Sequence, residues 1–93
     1  MIVSFRHKGL KKFFEAGKTQ GIQPAHADRL RNQLHMLDNA VSVQEMNVPG
    51  WQLHPLKGEL AGFHAVSVNG NWRLVFRFVG PSQVELVDYR DYH

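Results

Sequence analysis

The chain has no cysteine. A disulfide framework and a thiolate metal site are therefore both excluded, and the fold must rest on packing. It also has no run of about 18 successive apolar residues that would read as a membrane-spanning helix, and the opening MIVSFRHKG lacks the apolar core of an export signal. The expectation is a soluble protein that stays in the cytoplasm and does not engage a membrane. Repeats, low-complexity segments and linkers are missing as well, so residues 1–93 read as one domain with a single small core. There is no glycine-rich phosphate loop, no assignable Ser/His/Asp set and no paired-carboxylate signal. None of the six histidines stands at a zinc spacing with acidic partners, and neither metal nor another cofactor is expected.

What the chain does have is positive charge at one end. Eleven Lys and Arg against eight Asp and Glu give a formal charge of +3. The excess lies in the first half, where Arg6, Lys8, Lys11, Lys12, Lys18, Arg29 and Arg31 face four acids; residues 51–93 carry four of each sign. A basic face favours polyanionic partners such as nucleic acid or an acidic protein segment. A solvated helix face kept charged for solubility has the same composition.

Periodicity supplies the architecture. Met1 to Phe5 is short and β-prone. Residues 7–16 place Leu10, Phe13 and Phe14 on one helical face and Lys8, Lys11, Lys12 and Glu15 on the other, with Gly17 suited to end the helix. Pro24 can open a second helix over residues 24–38, in which Ala27, Leu30, Leu34 and Leu37 form the apolar stripe and Asp28 suits the dipole. Residues 39–50 are a connector. Trp51 to His54 reads as a short strand stopped by Pro55, and Val84 to Tyr89 as the last strand, with Val84 and Leu86 on one face and Val87 and Tyr89 on the other.

The strongest local signal is HPLKGELAGFHAVSVNGNWRLVFRF over residues 54–78. Residues 62–68 and 71–79 alternate apolar with polar or small residues about Asn69-Gly70, the dipeptide best suited to a type I′ turn. A two-residue loop pairs Val68 with Asn71, Val66 with Arg73, His64 with Val75 and Phe63 with Phe76. Trp72, Leu74, Phe76 and Phe78 then face the core with Phe63 and Ala65, while Arg73, Val75 and Arg77 face away beside His64 and Val66. The order strand, helix, helix, strands predicts an α+β fold. Two N-terminal helices pack on one face of a small, mostly antiparallel sheet, and the first strand lies beside a late one.

Three groups of residues are in excess of what packing needs: His54 with Lys57, Arg73 with Arg77, and the closing Asp91, Tyr92 and His93. Each has an ordinary structural reading as a surface histidine and loop lysine, a cross-sheet ion pair with Glu85 or Asp88, or a frayed tail. Their combination is specific. The opening IVSFRHKGLKKFFE, the central LHPLKGELAGFHAVSVNGNWRLVFRF and the closing VDYRDYH resemble HigB-type toxins of bacterial type II toxin–antitoxin systems, in the RelE/ParE superfamily. The resemblance runs along essentially the whole chain.

It implies a RelE-like toxin fold, a helix-turn-helix antitoxin partner, operator DNA reached only through the antitoxin complex, and cleavage of mRNA on the ribosome. By motif, His54 and Lys57 fall in HPLKG, Arg73 in NWR, and Asp91, Tyr92 and His93 in DYH; these are the candidate catalytic residues. Cleavage by the RNA's own 2′-hydroxyl needs a base, positive charge around the phosphorane and a proton for the leaving oxygen. His54 or His93 can move the protons, since imidazole titrates near pH 6.5. Arg73 and Lys57 suit phosphate charge, Asp91 can orient a histidine, and Tyr92 can stack on a base or bond the phosphate. Lys8, Lys11, Lys12 and Arg77 are candidates for RNA or ribosome contact, while Arg77 and His64 have no role fixed by the resemblance. The alternative is a ParE-like toxin that inhibits DNA gyrase by binding alone, for which the acid/base set would be unnecessary.

Overall fold

A computed structural model describes residues 1–92. Two α-helices, α1 (Lys8–Ala16) and α2 (Ala27–Asn39), precede a four-stranded antiparallel sheet of β1 (His54–Pro55), β2 (His64–Asn69), β3 (Trp72–Phe78) and β4 (Val84–Asp91) in spatial order 1-2-3-4. The architecture is the expected α+β one. Among the described residues no helix is long and apolar enough to cross a membrane.

Both helices are amphipathic, and their apolar faces meet one side of the sheet. Leu10 and Phe13 of α1 and Leu30, Leu34 and Leu37 of α2 share a buried cluster with Val66, Val68, Leu74, Phe76, Val84, Val87 and Tyr89. Phe76 at its centre is fully buried, so Phe76→Ala would cost about 3–5 kcal/mol. Helix α1 is capped by the ring of His7, whose Nδ1 accepts the Leu10 N–H at 2.9 Å, and it ends where Gly17 takes a left-handed φ of 71° that an L side chain resists. Helix α2 begins one turn later than expected, because Pro24–His26 form a 3₁₀ turn ahead of it.

The sheet departs from the predicted register in a consequential way. The ladder pairs His64 with Phe76, Ala65 with Val75, Val66 with Leu74 and Ser67 with Arg73, and a bulge between Ser67 and Asn69 brings Asn69 opposite Trp72. Only Gly70 in the loop has a positive φ, 57°, whereas a type I′ turn needs two. The expected two-residue turn about Asn69-Gly70 is therefore replaced, and the pairing slips by one residue. Since strand side chains alternate, the faces expected for β2 are exchanged. Val66 and His64 share the helix side with Leu74 and Phe76, and Phe63 and Ala65 lie on the other side with Val75, in a second small cluster covered by Leu56, Leu60, Leu86 and Tyr92. The faces expected for β3 stand.

A second bulge explains the impure alternation of the last strand. Val75 pairs with Asp88 but Arg77 with Glu85, and Leu86 takes a φ of 54°. The extra residue lets Val84, Val87 and Tyr89 all reach the helix side, while Leu86 turns to the other. The strand also runs on to Asp91. The N-terminal segment does lie beside this late strand, but only as isolated parallel bridges from Ile2 to Val84 and Phe5 to Val87. Pro55 does not stop β1: it pairs with His64 at the sheet edge, where a missing N–H is tolerated, and residues 51–53 lie outside the strand.

Candidate functional site

Directly opposed residues in a ladder point to the same face, and the registers therefore draw the side of the sheet away from the helices row by row. One row runs His54, Ala65, Val75, Asp88 across all four strands. Toward the hairpin tip the next row is Ser67, Arg73, Arg90. Toward the other end comes Arg77 opposite Glu85, with the Arg77 guanidinium 5.0 Å from the centre of the Phe63 ring.

His54 is oriented by a local contact. Its Nδ1 lies 2.9 Å from the carbonyl oxygen of Gln52. A carbonyl only accepts, so Nδ1 carries the hydrogen and the lone pair of the neutral ring sits on Nε2. Gln52 adopts a φ of 54°, the left-handed conformation that costs a non-glycine residue free energy, and this turn aims its carbonyl at the ring. Neighbouring His64 has its pKa lowered, first by burial and then by the nearby charge of His54.

Arg73 is folded back toward the hairpin, with Nη1 donating to the carbonyl oxygens of Gly70 at 2.7 Å and Trp72 at 3.1 Å. Arg90 faces it, 3.8 Å from the Asp88 carboxylate and 5.6 Å from the centre of the Tyr92 ring. Tyr92 is held by its N–H, which donates to the Asn71 carbonyl at 2.8 Å, and its ring packs against the Phe63, Ala65, Val75 cluster.

The helix side of these same strands carries an aromatic brace. Trp72 stacks on Tyr89 at 4.4 Å, and the Tyr89 hydroxyl accepts the Gln23 N–H at 3.3 Å while lying 2.6 Å from Nδ1 of buried His26. The hydroxyl thus bonds both groups, and the direction of its bond with His26 follows the imidazole tautomer. Burial raises the Tyr89 pKa, the Gln23 N–H opposes this, and Asp91 adds to the rise. The brace fixes Trp72 and Tyr89, and with them the adjacent Arg73 and Arg90 on the opposite face.

Of the candidates, His54, Arg73, Tyr92 and Arg77 thus share one sheet face. Lys57 is exposed in the loop that leads to the Gly58–Leu60 3₁₀ turn. Asp91 is the register partner of Trp72, which puts its Cβ toward the Tyr89 side at the strand end. His93 lies outside the described residues. Lys8, Lys11 and Lys12 are exposed on α1, on the far side of the sheet from Arg73. Sequence reasoning gives no functional role to Arg90, Asp88, Arg6 or Phe63; Asp88 enters there only as an ion-pair partner, Arg6 as one of the basic residues and Phe63 as a core residue. Alternation through DYRDY could have found the first two, since Asp88, Arg90 and Tyr92 fall at spacing two. Among the described residues no group of three or more His, Asp or Glu is arranged to hold a metal ion.

The fold is shared with a class of bacterial toxins. A YoeB/ParE toxin from Agrobacterium tumefaciens superposes with a TM-score of 0.51 over 99% of this chain and 96% of that one, at 17% identity. Residues 3–93 match the model of the RelE-like toxin of the type II toxin–antitoxin system HigB, and the chain belongs to this HigB-like toxin family. It is 41% identical over 93 residues, 100% of both chains, to Endoribonuclease HigB of Proteus vulgaris. It is also 32% identical over 95 residues, 100% of this chain and 98% of the other, to Toxin HigB-1 of Vibrio cholerae serotype O1. A toxin of a type II system has a protein antitoxin as its partner.

Proposed function

We propose that the chain is an endoribonuclease that cuts mRNA on the ribosome, in the cytoplasm, by attack of the RNA's own 2′-hydroxyl and without a metal ion. The observation that carries the mechanism is the hydrogen bond from His54 Nδ1 to the Gln52 carbonyl, which leaves Nε2 of the neutral ring as an acceptor on the sheet face that bears Arg73 and Tyr92. His54 takes the 2′-hydroxyl proton on Nε2 as the O2′–P bond forms. Arg73 and Lys57 balance the charge on the non-bridging oxygens of the phosphorane. The P–O5′ bond then breaks, and His93 gives the leaving oxygen its proton. The products are a 2′,3′-cyclic phosphate and a 5′-hydroxyl. Tyr92 stacks on a base beside the scissile bond, and Asp91 orients a histidine.

A domain of this size has little surface with which to hold a flexible strand in line, so the ribosome supplies the positioning and free RNA is a poor substrate. Lys8, Lys11 and Lys12, on the side away from the cleavage face, meet ribosomal RNA, and Arg77 meets RNA on the cleavage face itself. The antitoxin is a helix-turn-helix protein, through which the complex reaches operator DNA.

The test is a stalled ribosome carrying message with the 2′-hydroxyl replaced by 2′-methoxy at the cleavage site, with chelator present throughout. The expected result is a cut in normal message and none in the 2′-methoxy message. A cut in the 2′-methoxy message, or loss of activity on normal message with chelator, overturns the mechanism. No cut in any message together with inhibited gyrase would replace it with the ParE-like reading.

A further inference from the structure

Phe63 is an aromatic ring with two guanidinium groups over it. Arg77 of β3 lies 5.0 Å from the ring centre and Arg6, from the N-terminal segment, 5.5 Å. The ring itself is buried, so it anchors the two charges beside it and offers no platform for a base. Their charges are not balanced. Glu85 accepts from both Nε, at 2.7 Å, and Nη2 of Arg77. The exposed Arg6 side chain has no hydrogen bond or ion pair among the described residues, only the ring. Of the two guanidinium groups, which come from distant parts of the chain, only that of Arg77 is paired with a carboxylate.

Covering Phe63 explains the aliphatic stems of both arginines but not the uncompensated charge of Arg6, since a methionine at position 6 would shield the ring as well. The location adds to this. Arg77 is four residues from Arg73 on the same strand and face, roughly 13 Å along β3 at the usual rise per residue. The His54 row lies between them. A strand with its scissile phosphate at Arg73 and His54 and running along the face passes Arg6 and Arg77 a few nucleotides on.

We propose that Arg6 and Arg77, seated on Phe63, form a second phosphate site that holds an RNA backbone phosphate outside the cleavage centre. Guanidinium groups held beside a ring have given up part of their rotational freedom beforehand, so less is forfeited when the phosphate arrives. The inference rests on the RNA-cleaving reading above and extends it to how the strand is held.

The experiment measures binding of the full chain to ribosomes programmed with 2′-methoxy message, which cannot be cut by the proposed route, across a salt series. Cleavage of normal message is followed in parallel. Arg6→Met and Arg77→Gln are each expected to weaken binding, flatten the slope of log affinity against log salt by about 0.7 for each phosphate no longer held, and raise KM more than they lower kcat. Arg6→Lys should recover part of the loss. Thermal melts establish that Arg6→Met is folded. Messages with a single uncharged linkage, moved one phosphate at a time away from the cleavage site, identify the source. If one position makes Arg6→Met silent, the phosphate belongs to the message; if none does while the slope still falls, it belongs to ribosomal RNA. Unchanged slope and KM for folded Arg6→Met, with wild-type binding and cleavage intact, overturn the second site. Absence of cleavage by the wild type strikes the RNA-cleaving reading instead, and the slopes still decide whether Arg6 touches RNA.

Discussion

Arg73 and Arg90 stand directly opposite each other across the β3–β4 ladder, so two stems bearing the same charge rise together from the sheet face away from the helices. Like charges in this position destabilise a sheet. Each is tempered separately, Arg73 by the carbonyls of Gly70 and Trp72, Arg90 by Asp88 and the Tyr92 ring. A phosphate bound between them would turn repulsion into shared attraction.

Arg90→Gln is therefore expected to change stability by no more than about 0.5 kcal/mol, the range for partly exposed sites where removed repulsion offsets a removed ion pair. Cleavage on programmed ribosomes should fall, chiefly through KM. A chemical melt paired with the cleavage assay checks this, and a variant that melts early but cleaves normally would reduce Arg90 to a structural partner of Asp88.

The lysines of α1 lie on the other side of the sheet. Replacing Lys8, Lys11 and Lys12 with glutamine leaves Leu10 and Phe13 buried and should preserve the fold. Ribosome binding should weaken and its salt dependence flatten. Binding that is unchanged across a salt series would assign these residues to solubility.

His64 gives stability a defined acid limb. Its folded pKa lies below the ordinary imidazole value of 6.5, mainly through burial, so the unfolded chain takes up the proton first as pH falls. The contribution is whole above about pH 6.5 and is lost as pH drops through the folded value. Urea midpoints of wild type and His64→Gln, followed as pH is lowered from above 6.5 into the acid range, should show a smaller acid loss in the variant. Equal losses would mean that the imidazole titrates alike in both states.

Tyr89→Phe removes the hydroxyl that satisfies both buried His26 and the Gln23 N–H. Leaving a buried polar group unpaired costs about 1–3 kcal/mol, a Tm drop of roughly 4–8 °C per kcal/mol for a domain of this size. Because Trp72 stacks on the same ring, cleavage should fall along with stability. A variant as stable as wild type would show that water takes over both bonds.

The sequence by itself determined the α+β order, both helix faces, the capping at Gly17 and the core face of β3, and its motifs, through the family resemblance, named the candidates His54, Lys57, Arg73, Asp91, Tyr92 and His93. Those features follow from periodicity, local backbone preference and short motifs, which need no distant partner. The alternation of Trp72, Leu74, Phe76 and Phe78 is read without knowing what pairs with it. Tertiary structure alone decided the two bulges, since whether one residue is skipped depends on which arrangement buries more apolar side chain on the helix side. The slip between Ser67 and Asn69 places Val66 and Val68 under α1 and α2, and the one at Leu86 places Val84, Val87 and Tyr89 there together. It also decided what no local pattern could carry: the tautomer of His54, the opposition of Arg73 and Arg90, and the meeting of Arg6 with Arg77 over Phe63. Each of these joins residues through space, and their separations along the chain are set by the fold and not by any period in the sequence.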